Sequence, residues 1–205
     1  LSIDPNLPLA RMGRGLVHQR ANRIQEAISA YDDTLQRHPS LHEARSARLL
    51  CLNYLDTKTP GELFDEHRRF GEQFPSQTTP SAPIAHTVRD VPATRLKLAF
   101  LSPDLRSHSV AYFLEPLLRH LDRTRFEVIL YHDHAITDAV SARLSESEYI
   151  WRNFASQPDS VVETQIRKDA PEILVDLAGH IGFNRLPLFA RRLAPVQITY
   201  LGYPN

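Results

Sequence analysis

The chain has 205 residues, and its 24 Lys and Arg residues equal its 24 Asp and Glu residues in number. A nucleic-acid-binding protein usually carries a basic face, so this balance argues against such a partner. The single cysteine, Cys51, excludes a disulfide framework and a cysteine-based zinc site. No apolar run approaches the roughly 20 residues that a membrane span needs, and no signal peptide is visible. We therefore expect a soluble, cytoplasmic protein without a membrane partner.

The first part of the chain has the pattern of a helical repeat. Pro5 and Pro39 are 34 residues apart, which is the period of tetratricopeptide repeats. Between them, Ala27 and Tyr31 have the spacing found in the second helix of such a repeat, and Gly15 falls at the small position of the first helix. The small residues Ala27 and Gly15 let two antiparallel helices approach closely.

A second, less regular helical pair follows. Residues 41–54 have the pattern of one helix. Thr59 and Pro60 predict the start of another, because proline is favoured in the first turn of a helix. Pro75 is expected to end it. We therefore predict tetratricopeptide-like helical repeats over residues 1–75.

The composition changes after these helices. Residues 76–95 are rich in Pro, Ser and Thr and are predicted to form a linker. From Leu96 onward, apolar runs typical of strands alternate with helical periodicity. The predicted strands are 96–101, 126–131, 172–178 and 196–201, and the predicted helices are 109–121, 138–151, 159–170 and 186–192. Strands separated by helices indicate a parallel, doubly wound sheet, so residues 96–205 are predicted to form a Rossmann-like unit.

The periodicity of the first helix in this unit predicts which side chains it buries. Six apolar residues are expected on its buried face: Val110, Phe113, Leu114, Leu117, Leu118 and Leu121.

Ligands of such sheets bind beyond the carboxyl ends of the strands. The loops that follow the predicted strands are 102–108, 132–138, 179–185 and 202–205. The first contains Asp104 and His108 just before a helix, whose free N–H groups suit a phosphate. A histidine there could act as a base or as a hydrogen-bond donor. In the alternative interpretation, Ser107 or Ser109 caps the helix and His108 is solvated.

The other loops also allow two interpretations. Gly179 and Gly182 permit either an ordinary turn or a close approach of the backbone to a ligand, and the same holds for Gly202. His132 and His134 could form a metal-binding pair, but no third ligand has a suitable spacing, so no metal site is predicted. The glycine-rich dinucleotide fingerprint is absent, which argues against NAD.

Four segments are distinctive when taken together. They are LKLAFLSPDLRSHSVAYFLEPLL (96–118), FEVILY (126–131), ILVDLAGHIG (173–182) and LFARRLAPVQITYLGYPN (188–205). In this order they resemble the catalytic region of the O-GlcNAc transferase / SPINDLY family. The stretch EHRRFG (66–71) is similar to the helix that joins the repeats to that region in bacterial members. The resemblance covers nearly the whole chain.

The resemblance implies an α + α/β architecture, in which tetratricopeptide-type repeats precede the first Rossmann-like lobe of a two-lobed, GT-B type glycosyltransferase. It implies an inverting enzyme that moves N-acetylglucosamine from UDP-GlcNAc to Ser/Thr hydroxyls of proteins and needs no metal or other cofactor. In this family the repeats guide the acceptor protein, and a second lobe binds most of the nucleotide. We do not expect that second lobe within these residues, which begin at Leu1 rather than at a methionine.

The resemblance also implies catalytic roles for two residues. His108 matches the active-site histidine that has been proposed as the general base, and Asp104 matches a neighbouring aspartate proposed to assist.

Substrate-binding roles follow for a second set. Leu201, Gly202 and Tyr203 match a Leu-Gly-Tyr-Pro turn that lies against the donor. His180 stands at a position of the sugar-phosphate pocket where animal members carry tyrosine. Leu49 aligns with an apolar residue near the sugar.

Two alternatives remain open at the level of sequence. The chain could belong to a non-catalytic tetratricopeptide adaptor joined to a degenerate Rossmann-like lobe. It could also belong to a transferase that uses another nucleotide sugar such as GDP-fucose. The histidine in place of tyrosine at position 180 is the reason to consider this alternative.

Overall fold

The structure, a computed structural model, describes residues 7–74 and 95–203. The chain divides into two compact units. In the described part, the first unit consists of residues 7–74 together with 180–182, and the second consists of residues 95–179 and 183–203. Pro5 and nearly all of the predicted linker lie outside the described residues.

Four helices form the first unit. They are α1 (Pro8–Arg20), α2 (Ile24–Arg37), α3 (His42–Leu52) and α4 (Pro60–Gly71). Helix α4 begins where predicted, because Thr59 and Glu62 form a reciprocal capping box at its N-terminus. It ends at Gly71, before Pro75. The assignment of these helices to the tetratricopeptide class stays a prediction.

A small residue lets α1 and α2 pack closely. A Cβ atom on Gly15 would lie 2.3 Å from the ring of Tyr31. This ring is fully buried, and its hydroxyl group donates a hydrogen bond to Gln19 Oε1 at 2.9 Å. The sequence pattern therefore reflects a real steric requirement, since a side chain at position 15 would displace the tyrosine ring.

The second unit is a five-stranded parallel sheet in the order β3-β2-β1-β4-β5. Its strands are β1 (Leu96–Ser102), β2 (Phe126–His132), β3 (Ile150–Asn153), β4 (Ile173–Asp176) and β5 (Val196–Thr199). Its helices are α5 (Ser109–His120), α6 (Ala139–Ser145), α7 (Asp159–Asp169) and α8 (Leu186–Phe189). The predicted parallel sheet with helices is thus observed.

The sequence prediction missed one strand. Residues 138–151 were expected to be helical, but α6 ends at Ser145 and β3 starts at Ile150. This strand has only four residues and pairs on one side with β2. Its alternation is too short to be told apart from the end of a helix. Its side chains alternate between the two faces of the sheet. Trp151 packs against one core cluster and Ile150 against the other.

The buried face of α5 differs from the prediction. Phe113 is 58% exposed and Leu117 is 41% exposed, whereas Ala111 is almost fully buried. The helix therefore packs on Ala111 together with Leu114 and Leu118, and its buried face is rotated from the predicted stripe. Apolar periodicity cannot fix this rotation when adjacent positions are apolar all along one side.

No helix among residues 7–74 and 95–203 is long and apolar enough to cross a membrane.

Candidate active site

The order of the strands defines one crevice in the second unit. The neighbours of β1 are β2, which follows it in the chain, and β4, which comes after two intervening strands. The connections from β1 and β4 therefore diverge at their carboxyl ends. In open α/β sheets such a switch point is where ligands bind. The loop that contains Asp104 and His108 follows β1 at this point.

Asp104 and His108 lie close together in that loop. Asp104 Oδ2 is 3.8 Å from His108 Nδ1. The aspartate is 4% exposed, and its Oδ1 accepts a hydrogen bond from Arg106 Nη2 at 3.1 Å. Its backbone N–H donates to Ser102 Oγ at 3.0 Å, which fixes the turn after β1. The His108 side chain is 35% exposed, so it can meet a ligand while one edge stays in contact with the protein.

The residue that caps α5 is His108 itself. Its Nδ1 accepts a hydrogen bond from the backbone N–H of Val110 at 3.3 Å. The alternative in which Ser107 or Ser109 caps the helix is therefore wrong. The N–H of Ser107 instead donates to Asp138 Oδ2 at 2.6 Å, which ties this loop to the start of α6.

A buried carboxylate holds the loop after β4. Asp176 is 3% exposed and accepts hydrogen bonds from the N–H groups of Ala178 and Gly179 and from Thr199 Oγ1. Burial raises the pKa of this carboxyl above its ordinary value, and the backbone donors act in the opposite direction. The carboxylate stands at the end of β4 and links the backbone of the following loop to the side chain of Thr199 at the end of β5.

The predicted donor-side turn is tightly packed against that loop. Gly179 has φ +56°, and a Cβ on it would lie 2.2 Å from Tyr203 Cβ. A Cβ on Gly202 would lie 2.0 Å from the carbonyl oxygen of Leu177. Leu201 has a positive φ of 62° and is 43% exposed. Of the three residues predicted in this turn, Leu201 thus presents the most open surface, and Gly202 is required for close approach of the backbones.

We expect Gly202→Ala to lower the free energy of unfolding by about 2 kcal/mol, because the new methyl group meets rigid backbone rather than a movable side chain. Thermal unfolding measures the change. Gly182→Ala is the matched control, since a Cβ there meets nothing within 4 Å. Equal stability of the two variants would contradict the prediction.

Two of the predicted substrate-binding residues belong to the first unit. Leu49 is 1% exposed, in the core of the helices. His180 is 8% exposed, and its Nδ1 forms a hydrogen bond with Ser46 Oγ at 2.7 Å. The imidazole also contacts the rings of Phe70 and His67 edge-to-face, with centroids 4.7 and 5.2 Å apart. Burial lowers the pKa of His180 to about 4, and His67 adds to the effect.

Sequence reasoning missed a salt-bridge cluster at the carboxyl end of the sheet. Arg185 makes two hydrogen bonds to Asp133, at 2.6 and 2.9 Å, and one to Asp159 at 2.5 Å. The hydrogen bonds that Arg185 donates to Asp133 raise the pKa of its guanidinium. The cluster joins the loop after β2 to the segment before α8. Its only signal in the sequence is that each member lies just after a predicted strand or at a predicted helix start.

The rings of His132, the last residue of β2, and His134 both bind the backbone of Ile136. His132 Nε2 donates to the carbonyl oxygen of Ile136, and His134 Nδ1 accepts from the N–H of the same residue. No group of three or more His, Cys, Asp or Glu residues in the described part of the chain could hold a metal ion.

Comparison with known proteins decides the family. The protein-family model named glycosyl transferase family 41 matches residues 20–205 of the sequence. The chain belongs to glycosyl transferase family 41. This confirms the resemblance to the O-GlcNAc transferase / SPINDLY family.

One solved structure and two plant proteins are similar to this chain. The O-GlcNAc transferase of Thermobaculum terrenum, solved as a lysine-to-methionine mutant, is 31% identical and superposes with a TM-score of 0.84 over 98% of this chain and 38% of that one. The probable UDP-N-acetylglucosamine–peptide N-acetylglucosaminyltransferase SPINDLY of Oryza sativa subsp. japonica is 35% identical over 87% of the chain. Its counterpart in Hordeum vulgare is 34% identical over 82%. The chain spans 19% and 18% of these two plant proteins.

Proposed function

We propose that the chain is part of the catalytic region of an inverting protein O-GlcNAc transferase. The whole enzyme moves N-acetylglucosamine from UDP-GlcNAc to Ser or Thr hydroxyls of cytoplasmic proteins. The helices of the first unit are tetratricopeptide-type repeats along which the acceptor protein or peptide binds. The sheet of the second unit is the first lobe of a GT-B type fold, and the second lobe supplies most of the nucleotide site. Membership of family 41 and the names of its relatives support this proposal.

The reaction needs a base but no metal in this proposal. The acceptor oxygen forms a bond to the anomeric carbon while the bond from that carbon to the diphosphate oxygen breaks, and UDP leaves from the opposite face. His108 takes the hydroxyl proton, and N–H groups near the diphosphate stabilise the departing charge. The family resemblance assigns Leu201, Gly202 and Tyr203 to the turn against the donor. It assigns Leu49 and His180 to binding of the sugar and its phosphate.

One observation carries the proposal. In a chain of family 41, His108 stands at the carboxyl end of β1, beside the switch point of the sheet, 3.8 Å from a buried carboxylate. A partly exposed imidazole in such a crevice has the chemistry to exchange a proton with a bound hydroxyl group.

The test is transfer by the full-length protein. We expect label from UDP-GlcNAc to reach Ser or Thr residues of acceptor peptides, and His108→Ala to lower the rate on the order of 100-fold while the fold persists by circular dichroism. The exposed His120, in the last turn of α5, gives the matched control His120→Ala, which should transfer at the wild-type rate. Unchanged turnover in His108→Ala would remove this residue from the mechanism.

The same assay separates the alternatives. Transfer from GDP-fucose but not from UDP-GlcNAc would assign another donor sugar. Absence of UDP binding at millimolar concentration, measured by calorimetry, would favour a non-catalytic adaptor that uses its helical repeats only to bind proteins.

A further inference from the structure

In the structure, the neutral imidazole of His108 carries its proton on Nε2. A general base would need a lone pair on this nitrogen. Its Nδ1 accepts the hydrogen bond from the backbone N–H of Val110 at 3.3 Å. A backbone amide can only donate, so Nδ1 has a lone pair, and the proton of the neutral ring is on Nε2. In this state Nε2 can donate a hydrogen bond but cannot accept a proton from an acceptor hydroxyl.

The neighbouring carboxylate offers Nδ1 a different partner. Asp104 Oδ1 is occupied by Arg106, whereas Oδ2 is buried and has no hydrogen-bond partner among the residues that the structure describes. A buried carboxylate oxygen without a donor is costly. Oδ2 lies 3.8 Å from His108 Nδ1, about 1 Å farther than a charge-assisted hydrogen bond requires.

We infer that Asp104 is a positioning residue that selects the tautomer of His108. The ring loses the hydrogen bond from the N–H of Val110 and takes up a proton from solvent on Nδ1, while Nε2 loses its proton to solvent. The new Nδ1–H keeps its proton and donates a hydrogen bond to Asp104 Oδ2. The net protonation is unchanged, and Nε2 now presents a lone pair. This inference rests on the proposed function, because it concerns the residue that serves there as the base.

The loop can lose the hydrogen bond from Val110 N–H to His108 Nδ1 and keep its other hydrogen bonds. The N–H of Ser107 donates to Asp138, and the N–H of Asp104 donates to Ser102 Oγ. Both bonds are independent of the imidazole. During transfer, Nε2 takes the hydroxyl proton, the carboxylate of Asp104 faces the resulting imidazolium, and the proton leaves to solvent after UDP departs.

The test measures the tautomer directly. Nuclear magnetic resonance of the full-length protein with ¹⁵N-labelled histidine distinguishes protonated from unprotonated ring nitrogens, and His108→Gln identifies the signals of His108. At alkaline pH we expect Asp104→Asn to lower the fraction of the Nδ1–H tautomer at least about 5-fold, because the charge that favours it is lost. The same fraction in wild type and Asp104→Asn would overturn the inference.

Matched variants separate this role from a structural one. Asp169→Asn also removes the charge of a buried carboxylate bound by an arginine, with Arg152 at 3.0 Å, and should leave the His108 tautomer unchanged. Val110→Pro removes the competing donor at a position in the first turn where proline is tolerated, and should raise the Nδ1–H fraction. Val110→Ala keeps the N–H and should leave the Nδ1–H fraction unchanged. If the proline variant does not fold, Asp104→Asn alone decides.

Kinetics gives an independent readout. In the full-length enzyme we expect Asp104→Asn to lower kcat on the order of 100-fold with KM changed by less than about 3-fold, because the residue does not touch substrate. Unchanged kcat in an active enzyme overturns the inference alone. If the wild-type protein transfers no sugar, the proposed function fails, and the tautomer measurement still tests the role of Asp104.

Discussion

Replacing Arg185 with methionine should lower the free energy of unfolding by about 3–5 kcal/mol, because it leaves a buried carboxylate without its counter-charge. The Asp133 side chain is 5% exposed, and both of its oxygens accept from Arg185. The same guanidinium also binds Asp159 and the carbonyl oxygen of Gln157. Methionine keeps most of the length of the stem but donates to none of these acceptors.

Denaturant unfolding of the 205-residue chain, followed by fluorescence of its single tryptophan, measures this change. Trp151 is a local reporter of the sheet, since it lies in β3 and stacks on His132. The control is Arg119→Met. That side chain is 67% exposed in its ion pair with Glu115, so its loss should cost less than about 1 kcal/mol.

A double variant tests the cause of the Arg185 effect. Adding Asp133→Asn to Arg185→Met removes the unpaired charge and should restore part of the lost stability. The contrary result is that Asp133→Asn lowers the stability of Arg185→Met as much as it lowers the stability of wild type. Charge pairing would then not be the reason for the loss.

Acid should destabilise the first unit through His180. Its folded pKa is about 4, whereas the ordinary value is 6.5. Between these two values the unfolded chain binds more protons than the folded one, so the free energy of unfolding falls as the pH decreases. The contribution is fully present above pH 6.5 and is lost on the way down to pH 4. The shift corresponds to about 3 kcal/mol.

Thermal unfolding of wild type and His180→Phe at pH 7.5 and pH 4.5 isolates this contribution. Phenylalanine keeps a ring against Phe70 but does not titrate, so between these two pH values the variant should lose about 2–3 kcal/mol less stability than wild type. Its stability at pH 7.5 should fall by about 1 kcal/mol, because the bond to Ser46 is lost.

Phe70→Leu is the matched control, since it weakens packing in the same cluster without removing a titratable group. It should lower stability by the same amount at both pH values. An identical acid loss in wild type and His180→Phe would show that the buried imidazole does not govern the pH dependence.

Local patterns in the sequence were sufficient for most elements. The helix start at Thr59 and Pro60 and the apolar runs of β1, β2 and β4 depend on neighbours within a few residues, and they appear where predicted. The strand β3 was missed because four residues at a sheet edge show too little periodicity. The rotation of α5 was missed because it depends on what the sheet presents to the helix, not on the helix itself.

The candidate site was predicted only in outline. The position of His108 and Asp104 at a strand end follows from alternation of strands and helices, and their roles follow from the family resemblance. The use of the imidazole as the cap of α5 was not foreseen, because histidine is outside the usual group of capping residues. The capping bond and its consequence for the ring proton become visible only in the tertiary structure.

The sequence by itself determined the alternation of elements, the parallel sheet and the loops that end its strands, because these depend on local periodicity and turn residues. Only the tertiary structure decided which distant groups meet. Arg185 and Asp133 are 52 residues apart, and Ser46 and His180 are 134 residues apart. Such pairs depend on the order of strands in space and on which backbones approach closely. The burial that shifts the pKa of His180 exists only after these elements pack together.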